Sequence, residues 1–266
     1  MNYQEFTKKI YLKTGIDLSL YKETQMKRRL TSFYQKHGLQ SFKDLYDAIG
    51  RNQKLYEDFL DRITINVSEF FRNRNRWEYL QKEILPELLQ KERKLKIWSA
   101  ACSEGQEPYT LAMIFAEYTD LNRVEILATD IDERALKRAK RGVYPERVLE
   151  EVPTSLVRKY FIPTDEGFAV CDRLKQAVTF KKHNLLGDPY PRSFDLIVCR
   201  NVLIYFTEEA KDGIYRRFNA SLELDGVLFV GSTEQIFYPL QYGFEPVDTF
   251  FYKKVKNIPA SSLTRS

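Results

Sequence analysis

The spacing of apolar residues changes character after residue 76. Before this point, apolar side chains recur at helical spacing. Met26, Leu30 and Phe33, for example, fall on one face of a predicted helix. After this point, short apolar runs alternate with longer segments of helical spacing. The pattern therefore predicts an all-α domain over residues 1–76, followed by an α/β domain over residues 77–257.

Strands and helices alternate through the second domain. Strands are predicted at 95–100, 124–129, 194–199 and 226–232, and helices at 77–92, 108–118, 133–140 and 208–222. The segment 194–199, FDLIVC, is a nearly continuous apolar run, which is typical of a parallel strand buried on both faces. We therefore expect a doubly wound, Rossmann-like sheet, with a short strand pair near its end.

Two segments depart from this alternation. The stretch 168–180 is short, alternating and rich in polar residues, which predicts a small antiparallel β-subdomain at about residues 165–182. Residues 258–266 carry no periodic pattern, so we expect a disordered tail there.

The composition argues against several classes of protein. No apolar run approaches the length of a membrane-spanning helix, and the start has no apolar signal-peptide core. Three cysteines without C-x-x-C spacing and only two histidines argue against disulfides, a metal site and a Ser-His-Asp triad. We expect a cytoplasmic monomer that holds no metal and does not insert into a membrane.

The net charge of +5 is unevenly divided. Residues 1–76 hold 15 Lys and Arg against 9 Asp and Glu, whereas the rest of the chain holds 27 against 28. The predicted helix over 21–37 places Arg28, Arg29 and Lys36 away from its apolar face. An acidic partner is therefore expected to dock on this helix. An ordinary solvated face is the alternative for a run of charge by itself.

The loop 103–108, SEGQEP, follows one predicted strand and opens a helix, as the nucleotide-binding turn does in this fold class. It holds a single glycine, Gly105, whereas a dinucleotide turn needs several. Glu107, at the start of the helix, would repel a phosphate and attract a cation. S-adenosylmethionine has an ammonium, a sulfonium and no phosphate, so it fits this loop. A helix cap is the alternative role for Glu107.

Polar residues follow three further predicted strands. Asp130 lies 25 residues after Gly105, where an acid accepts hydrogen bonds from ribose hydroxyls. Asn184 is placed to bond an adenine edge, and Arg200 and Asn201 follow a buried strand. In an open α/β sheet, ligands bind at the carboxyl ends of the strands. We therefore expect one ligand among these residues, with a simple strand cap as the alternative for Arg200 and Asn201.

A fourth polar cluster lies outside the predicted sheet. The segment TINVSEFFRN, residues 64–73, brings Asn66, Ser68 and Arg72 together at the end of the helical domain. For Ser68 alone, an ordinary helix N-cap is the favoured interpretation.

The order and spacing of six segments resemble the CheR family, the chemoreceptor glutamate methyltransferases, and most closely its Bacillus-type members. The segments are TINVSEFFRN, WSAACSEGQEPYTLAM, LATDID, KHNLL, CRNVLIYF and GVLFVGSTE, and the resemblance covers residues 1–256. It implies an S-adenosylmethionine-dependent protein-glutamate O-methyltransferase. Such an enzyme converts glutamate γ-carboxylates of chemoreceptors into methyl esters for adaptation in chemotaxis, and it releases S-adenosylhomocysteine.

The resemblance also assigns roles to particular residues. The implied cofactor-binding residues are Asn66, Ser68, Arg72, Glu107, Asp130, Asn184, Leu185, Arg200 and Asn201. Arg72 and Tyr205 would border the methyl-transfer centre. The basic helix would contact the methylation helices of a chemoreceptor, and the β-subdomain would be the one that grips a receptor tail in some members. One departure is the loop, which usually reads STGEEP in the family. In this sequence the loop reads SEGQEP, and Glu104 adds a negative charge to it.

The inferred chemistry needs no general base. A glutamate carboxylate with a pKa of about 4.3 is already ionised near pH 7. Two alternatives stay open at this point. The basic domain would also suit a nucleic-acid methyltransferase, although the sequence has no NPPY motif and we expect no nucleic-acid partner. The protein could instead bind S-adenosylmethionine as a non-catalytic interaction module.

Overall fold

The computed structural model describes residues 1–64 and 68–258, which begin with a group of helices. These helices are α1 (Tyr3–Thr14), α2 (Glu23–Lys36), α3 (Phe42–Arg51) and α4 (Gln53–Thr64). The predicted site residue Asn66 and residues 259–266 of the predicted tail lie outside the described residues. The all-α character of the first domain is confirmed.

The helices pack through the apolar stripes that the sequence predicts. Met26, Leu30 and Phe33 of α2 are buried. The ring of Phe33 lies edge-on to the ring of Phe59 from α4, with 6.3 Å between their centroids. Because this stripe faces the other helices, the charged face of α2, which includes Arg28, is left exposed.

The next helical segment is less regular than the single helix predicted over 77–92. It consists of α5 (Arg74–Tyr79), a π-helical stretch over Leu80–Ile84 and α6 (Leu85–Leu89). Pro86 stands in the first turn of α6 and has no N–H to donate to the preceding turn. The wider π-helical turns therefore end just before this proline.

A seven-stranded sheet forms the centre of the second domain. Its strands are β1 (Leu95–Ala100), β2 (Val124–Asp130), β6 (Val178–Lys182), β7 (Phe194–Cys199), β8 (Leu222–Val230), β9 (Phe244–Asp248) and β10 (Phe251–Lys254). Their spatial order is β6-β2-β1-β7-β8-β10-β9. The first five strands in this order are parallel to one another, and β10 is antiparallel to both of its neighbours, β8 and β9. The connecting helices include α7 (Gln106–Tyr118), α8 (Glu133–Arg141), α10 (Asp172–Ala177) and α11 (Glu208–Ser221).

This strand order confirms the predicted doubly wound α/β sheet. From β1 the chain moves outward to β2 and then β6, and it returns to β7 on the other side of β1. The direction of winding therefore reverses between β1 and β7. Ligands of such sheets bind at this reversal, beside the carboxyl ends of the two strands.

The small antiparallel sheet is present, but its predicted bounds of about 165–182 are wrong. Its strands are β3 (Val143–Tyr144), β4 (Phe161–Thr164) and β5 (Gly167–Val170), in the order β3-β5-β4, with α9 (Thr154–Tyr160) before β4. Residues 178–182 instead form β6, at the edge of the main parallel sheet. In β6 the buried Val178 and Phe180 alternate with exposed residues, and this alternation resembles that of an antiparallel strand.

The helical domain is joined to the sheet domain beside β7. The Lys22 N–H donates to the Tyr205 carbonyl at 2.9 Å, and the Thr207 N–H donates to the Leu20 carbonyl at 2.9 Å. The ring of Tyr21 packs against the ring of Phe206, with 5.0 Å between their centroids. The start of α2 is therefore fixed to the segment that carries Tyr205.

Within residues 1–64 and 68–258, no helix has both the length and the apolar character that crossing a membrane requires.

Candidate active site

The loop after β1 has a tight, hydrogen-bonded conformation. The Ser103 N–H donates to Asp130 Oδ2 at 2.7 Å, and the Cys102 N–H donates to a carbonyl of β2 at 2.9 Å. Gly105 has a φ of +92°, and a Cβ there would lie 2.8 Å from the Cβ of Ala139 in α8. The single glycine is therefore needed for the approach of α8. Glu104, which belongs to this loop, pairs with Arg138 at 2.7 Å and does not line the rim cleft.

Glu107 is buried at the start of α7. Its Oε1 accepts a hydrogen bond from Ser99 Oγ at 2.8 Å. Burial raises the pKa of Glu107 to about 7, against the lowering effects of Arg200 and the Ser99 hydroxyl. A cation placed beside this buried acid would stabilise its ionised form.

Asp130 ends β2 and is also buried. Its two oxygens accept the N–H groups of Ser103 and Asp132, at 2.7 Å and 2.9 Å. Burial raises the pKa of Asp130 to about 6, although these hydrogen bonds oppose the rise. The carboxylate therefore organises the loop after β1 as well as facing the cleft.

Arg200 follows β7, and its guanidinium lies against two aromatic rings. Its guanidinium carbon is 5.1 Å from the ring centre of Trp77 and 4.8 Å from that of Phe229. Its Nη2 donates to the Arg72 carbonyl at 2.7 Å and to Asn73 Oδ1 at 3.1 Å. Its Nε is buried and has no acceptor within the described part of the chain. Burial lowers the pKa of Arg200, and its spare donor suits a ligand with an acceptor oxygen.

Glu234, which the sequence analysis did not single out, organises the turn after β7. This side chain accepts the N–H groups of Asn201, Leu203 and Gly231 at 2.7, 2.6 and 2.8 Å, and of Ile204 at 3.3 Å. The residue is 4% exposed. It stabilises the positive φ of Asn201 and the helical turn Leu203–Tyr205. The acid of the segment GSTE, directly after a buried strand, was the signal for it in the sequence.

The predicted site residues meet in one cleft at the carboxyl ends of β1, β2, β6 and β7. One part of this rim cleft is lined by Ser68, Arg72, Glu107, Asp130, Arg200, Asn201 and Tyr205. An adjoining part is lined by Asn184 and Leu185, again with Asp130 and Tyr205. The structure therefore brings together every predicted cofactor residue that lies within its described ranges.

A second pocket shares Tyr205 with the rim cleft. This basic pocket has a volume of about 220 Å³ and is lined by Tyr21, Lys22, Gln25, Met26, Arg28, Arg29, Ser32, Arg62 and Tyr205. No acidic residue lines it among the residues that the structure describes. Lys22 and Arg62 were not predicted as site residues. Lys36 lies further along α2, beside a neighbouring cavity of about 580 Å³.

The polar side chains of the rim cleft fit a cationic adenosyl ligand. Glu107 and Asp130 provide acceptors for ammonium and hydroxyl groups, and the spare Nε of Arg200 suits a carboxylate. A phosphate would meet two buried acids instead of the glycine-rich turn that it requires. No group of three or more residues that could hold a metal ion occurs within residues 1–64 and 68–258.

The parallel sheet and this cleft define an S-adenosylmethionine-dependent methyltransferase. The family model described as "CheR methyltransferase, SAM binding domain" matches residues 66–251, and "CheR methyltransferase, all-alpha domain" matches residues 1–64. The chain therefore belongs to the CheR methyltransferase family, and its cofactor is S-adenosylmethionine.

Similar proteins carry names of the same kind. A chemotaxis protein methyltransferase of Listeria innocua is 45% identical, over 95% of this chain and 97% of its own length. One of Borreliella burgdorferi is 38% identical, over 85% of each chain. The protein is accordingly a methyltransferase of chemotaxis, as the resemblance implies.

The family models divide the chain between residues 64 and 66, whereas the sequence pattern predicts a division after residue 76. The contacts of Phe70 agree with the division between residues 64 and 66. Its ring lies 5.0 Å from that of Tyr144 and 5.5 Å from that of Phe161, both in the sheet domain. The segment from residue 68 onward therefore packs with the sheet domain.

The affinity for S-adenosylmethionine should rise roughly tenfold between about pH 5 and pH 7.5. Glu107 and Asp130, with pKa values of about 7 and about 6, ionise over this range and then attract a cation. The stability of the protein without ligand should change in the opposite direction. Both pKa values are raised by folding, so these groups stabilise the fold at low pH, and their contribution is lost as the pH rises through 6 and 7.

Calorimetric titration at several pH values measures the change in affinity. In Glu107→Gln, the affinity for S-adenosylmethionine should no longer rise near pH 7. The control is Glu104→Gln, which alters the acid paired with Arg138. In this control the affinity should still rise near pH 7. An affinity that stays constant or falls with rising pH would contradict the role of the buried acids.

Proposed function

We propose that this protein transfers the methyl group of S-adenosylmethionine to glutamate γ-carboxylates in the methylation helices of chemoreceptors. The observation that carries the proposal is that Tyr205 lines two cavities, of which only one contains buried acids. The rim cleft contains the buried acids Glu107 and Asp130 together with two arginines, and the basic pocket is lined by four cationic residues. A cationic methyl donor and an anionic acceptor would therefore approach each other at Tyr205.

The cofactor would be held by the residues of the rim cleft. These are Ser68, Arg72, Glu107, Asp130, Asn184, Leu185, Arg200 and Asn201, and the resemblance adds Asn66. When bound, S-adenosylmethionine supplies a methyl group on a positively charged sulfur. Asp130 would accept hydrogen bonds from the ribose hydroxyls.

The acceptor carboxylate acts as the nucleophile. One of its oxygens forms a bond to the methyl carbon while the carbon–sulfur bond breaks, and that electron pair stays on sulfur. No proton moves, because the carboxylate is ionised at neutral pH. The protein therefore contributes by positioning the carboxylate and removing water from it, and not by general base catalysis.

Arg72 and Tyr205 are the residues proposed to orient that carboxylate. Arg72 lines the rim cleft, and its side chain is 32% exposed. Its ion-pair partner among the described residues is Glu69, at a distance of 3.8 Å. This long ion pair leaves donors of Arg72 available to a substrate carboxylate.

The proposal is tested by incubating the protein with methyl-labelled S-adenosylmethionine and a cytoplasmic fragment of a chemoreceptor. We expect label in the fragment and its release as methanol on treatment with alkali, because a glutamate methyl ester is labile to base. Label that resists alkali, label in added nucleic acid, or cofactor binding without any transfer would each contradict the proposal.

Reversing one charge on α2 should weaken binding of the receptor fragment. In Arg28→Glu, the KM for the fragment should rise about tenfold, because an exposed cation facing an acidic partner is replaced by an anion. The affinity for the cofactor should stay unchanged, since Arg28 does not line the rim cleft.

Steady-state methyl-transfer kinetics at two salt concentrations measure this effect. The matched control is Lys8→Glu, which makes the same charge change on α1 at an exposed residue outside the basic pocket. Equal KM values for the two variants would contradict docking on α2.

A further inference from the structure

Tyr21 lies at the junction of the two domains, just before α2. The N–H of Lys22 donates to the Tyr205 carbonyl at 2.9 Å, and Tyr21 forms an antiparallel bridge with Phe206. The ring of Tyr21 also lies edge-on to the ring of Phe206, with an angle of 80° between their planes. Backbone and ring contacts therefore hold the Tyr21 side chain in a defined position.

The side chain of Tyr21 is buried, but its hydroxyl group has no hydrogen-bond partner within residues 1–64 and 68–258. The residue is only 8% exposed. The hydroxyl oxygen is not one of the unpartnered polar atoms that the protein encloses completely, so it reaches a cavity. A donor that has lost most of its water and has no acceptor is unfavourable, and an acceptor on a ligand would relieve this cost.

The charges near Tyr21 indicate which cavity its hydroxyl serves. Tyr21 lines the basic pocket and also the part of the rim cleft that contains Asn184 and Leu185. Burial, and then the charges of Asp130 and Asp17, raise the pKa of Tyr21. The phenol therefore stays protonated near neutral pH, and it is a hydrogen-bond donor in the neighbourhood of the Asp130 carboxylate.

The surroundings of Asp130 suggest the kind of acceptor. Its oxygens accept the N–H groups of Ser103 and Asp132, and no hydrogen bond joins it to Tyr21 among the residues that the structure describes. A hydroxyl group on a ligand can link a carboxylate to a phenol, because it donates to the first and accepts from the second. The ribose of S-adenosylmethionine has two such hydroxyl groups.

We propose that the Tyr21 hydroxyl donates a hydrogen bond to a ribose hydroxyl oxygen of S-adenosylmethionine. The helical domain would then contribute a cofactor contact of its own, in addition to those from the sheet domain. The inference rests on the proposed place of the ribose beside Asp130. It does not depend on which protein accepts the methyl group.

The test is calorimetric titration with S-adenosylhomocysteine and with its 2′-deoxy and 3′-deoxy forms, in the absence of any acceptor protein. Tyr21→Phe removes the hydroxyl and keeps the ring. It should lower the affinity for S-adenosylhomocysteine about five- to tenfold, as expected for one lost hydrogen bond. For one of the two deoxy forms, Tyr21→Phe and the parent protein should bind with equal affinity, because the hydroxyl that Tyr21 contacts is missing.

Two controls separate this contact from an effect on folding. Without ligand, Tyr21→Phe should unfold at the same temperature as the parent protein, because its hydroxyl has no partner to lose within the described ranges. Tyr34→Phe removes a hydroxyl of α2 that lies outside both cavities, and it should bind all three ligands as the parent protein does.

Asp130→Asn tests the place of the ribose separately. This variant should reduce the preference for S-adenosylhomocysteine over its deoxy forms, because ribose hydroxyls are proposed to donate to this carboxylate. If the full preference persists in Asp130→Asn, the proposed place of the ribose is wrong.

Three results would overturn the role of Tyr21 even when Asp130→Asn behaves as expected. The first is an unchanged affinity of Tyr21→Phe for S-adenosylhomocysteine. The second is an equal loss for all three ligands, which would show that the ribose hydroxyls are not involved. The third is a lower unfolding temperature of Tyr21→Phe without ligand, which would assign its hydroxyl a structural role.

Discussion

Replacing Arg72 with alanine is expected to lower kcat for methyl transfer by more than tenfold, which corresponds to a barrier increase of at least about 1.4 kcal/mol. The side chain lines the rim cleft with Tyr205 and is proposed to orient the acceptor carboxylate. Its backbone carbonyl, which accepts from Trp77 Nε1 and Arg200 Nη2, is unchanged by the substitution. The local fold should therefore persist.

Single-turnover kinetics with saturating cofactor and a chemoreceptor fragment measure this loss. The matched control is Arg74→Ala, because Arg74 is exposed, pairs with Glu78 at 3.4 Å and does not line the cleft. This control should stay within about twofold of the parent rate. A loss of less than tenfold in Arg72→Ala, with cofactor affinity intact, would remove Arg72 from the role of orienting group.

Replacing Glu234 with alanine is expected to lower the free energy of unfolding by about 3 kcal/mol or more. The side chain accepts hydrogen bonds from four backbone N–H groups in the turns after β7 and β8. Without it, these donors lose their acceptor in a place that is largely closed to water. The turn that carries Asn201 and Tyr205 should lose its conformation, and cofactor affinity should fall with stability.

Urea unfolding followed by circular dichroism, with cofactor titration beside it, measures both effects. Glu234→Gln retains one carbonyl oxygen and should lose less stability. The control Glu245→Ala removes an exposed acid of β9 and should change stability by less than about 0.5 kcal/mol. Equal stability of Glu234→Ala and Glu245→Ala would show that Glu234 does not organise the site.

The parts of the fold with a clear local pattern were predicted well. The strands Leu95–Ala100 and Phe194–Cys199 were predicted to the residue, because nearly all their side chains are buried and mostly apolar. The small sheet was misplaced because β6 lies at an edge, where buried and exposed residues alternate. A sequence pattern reports burial on each face of a strand, but it does not report the neighbouring strand.

The site could be predicted as far as strand ends define it. Asp130 ends a buried strand, Glu107 and Arg200 follow two others, and parallel strands bring their carboxyl ends to one edge. Tyr21 and Glu234 could not be predicted in this way. Their importance depends on contacts with distant parts of the chain, at Phe206 and in the turn after β7, and these contacts exist only once the chain has folded.

The central claim is that buried acids in the rim cleft select a cationic adenosyl ligand without phosphate. Calorimetric titration of the protein with S-adenosylmethionine and, separately, with ADP tests it most directly. We predict saturable binding of S-adenosylmethionine and no detectable binding of ADP at the same protein concentration. Binding of ADP as tight as that of S-adenosylmethionine, or tighter, would contradict the claim.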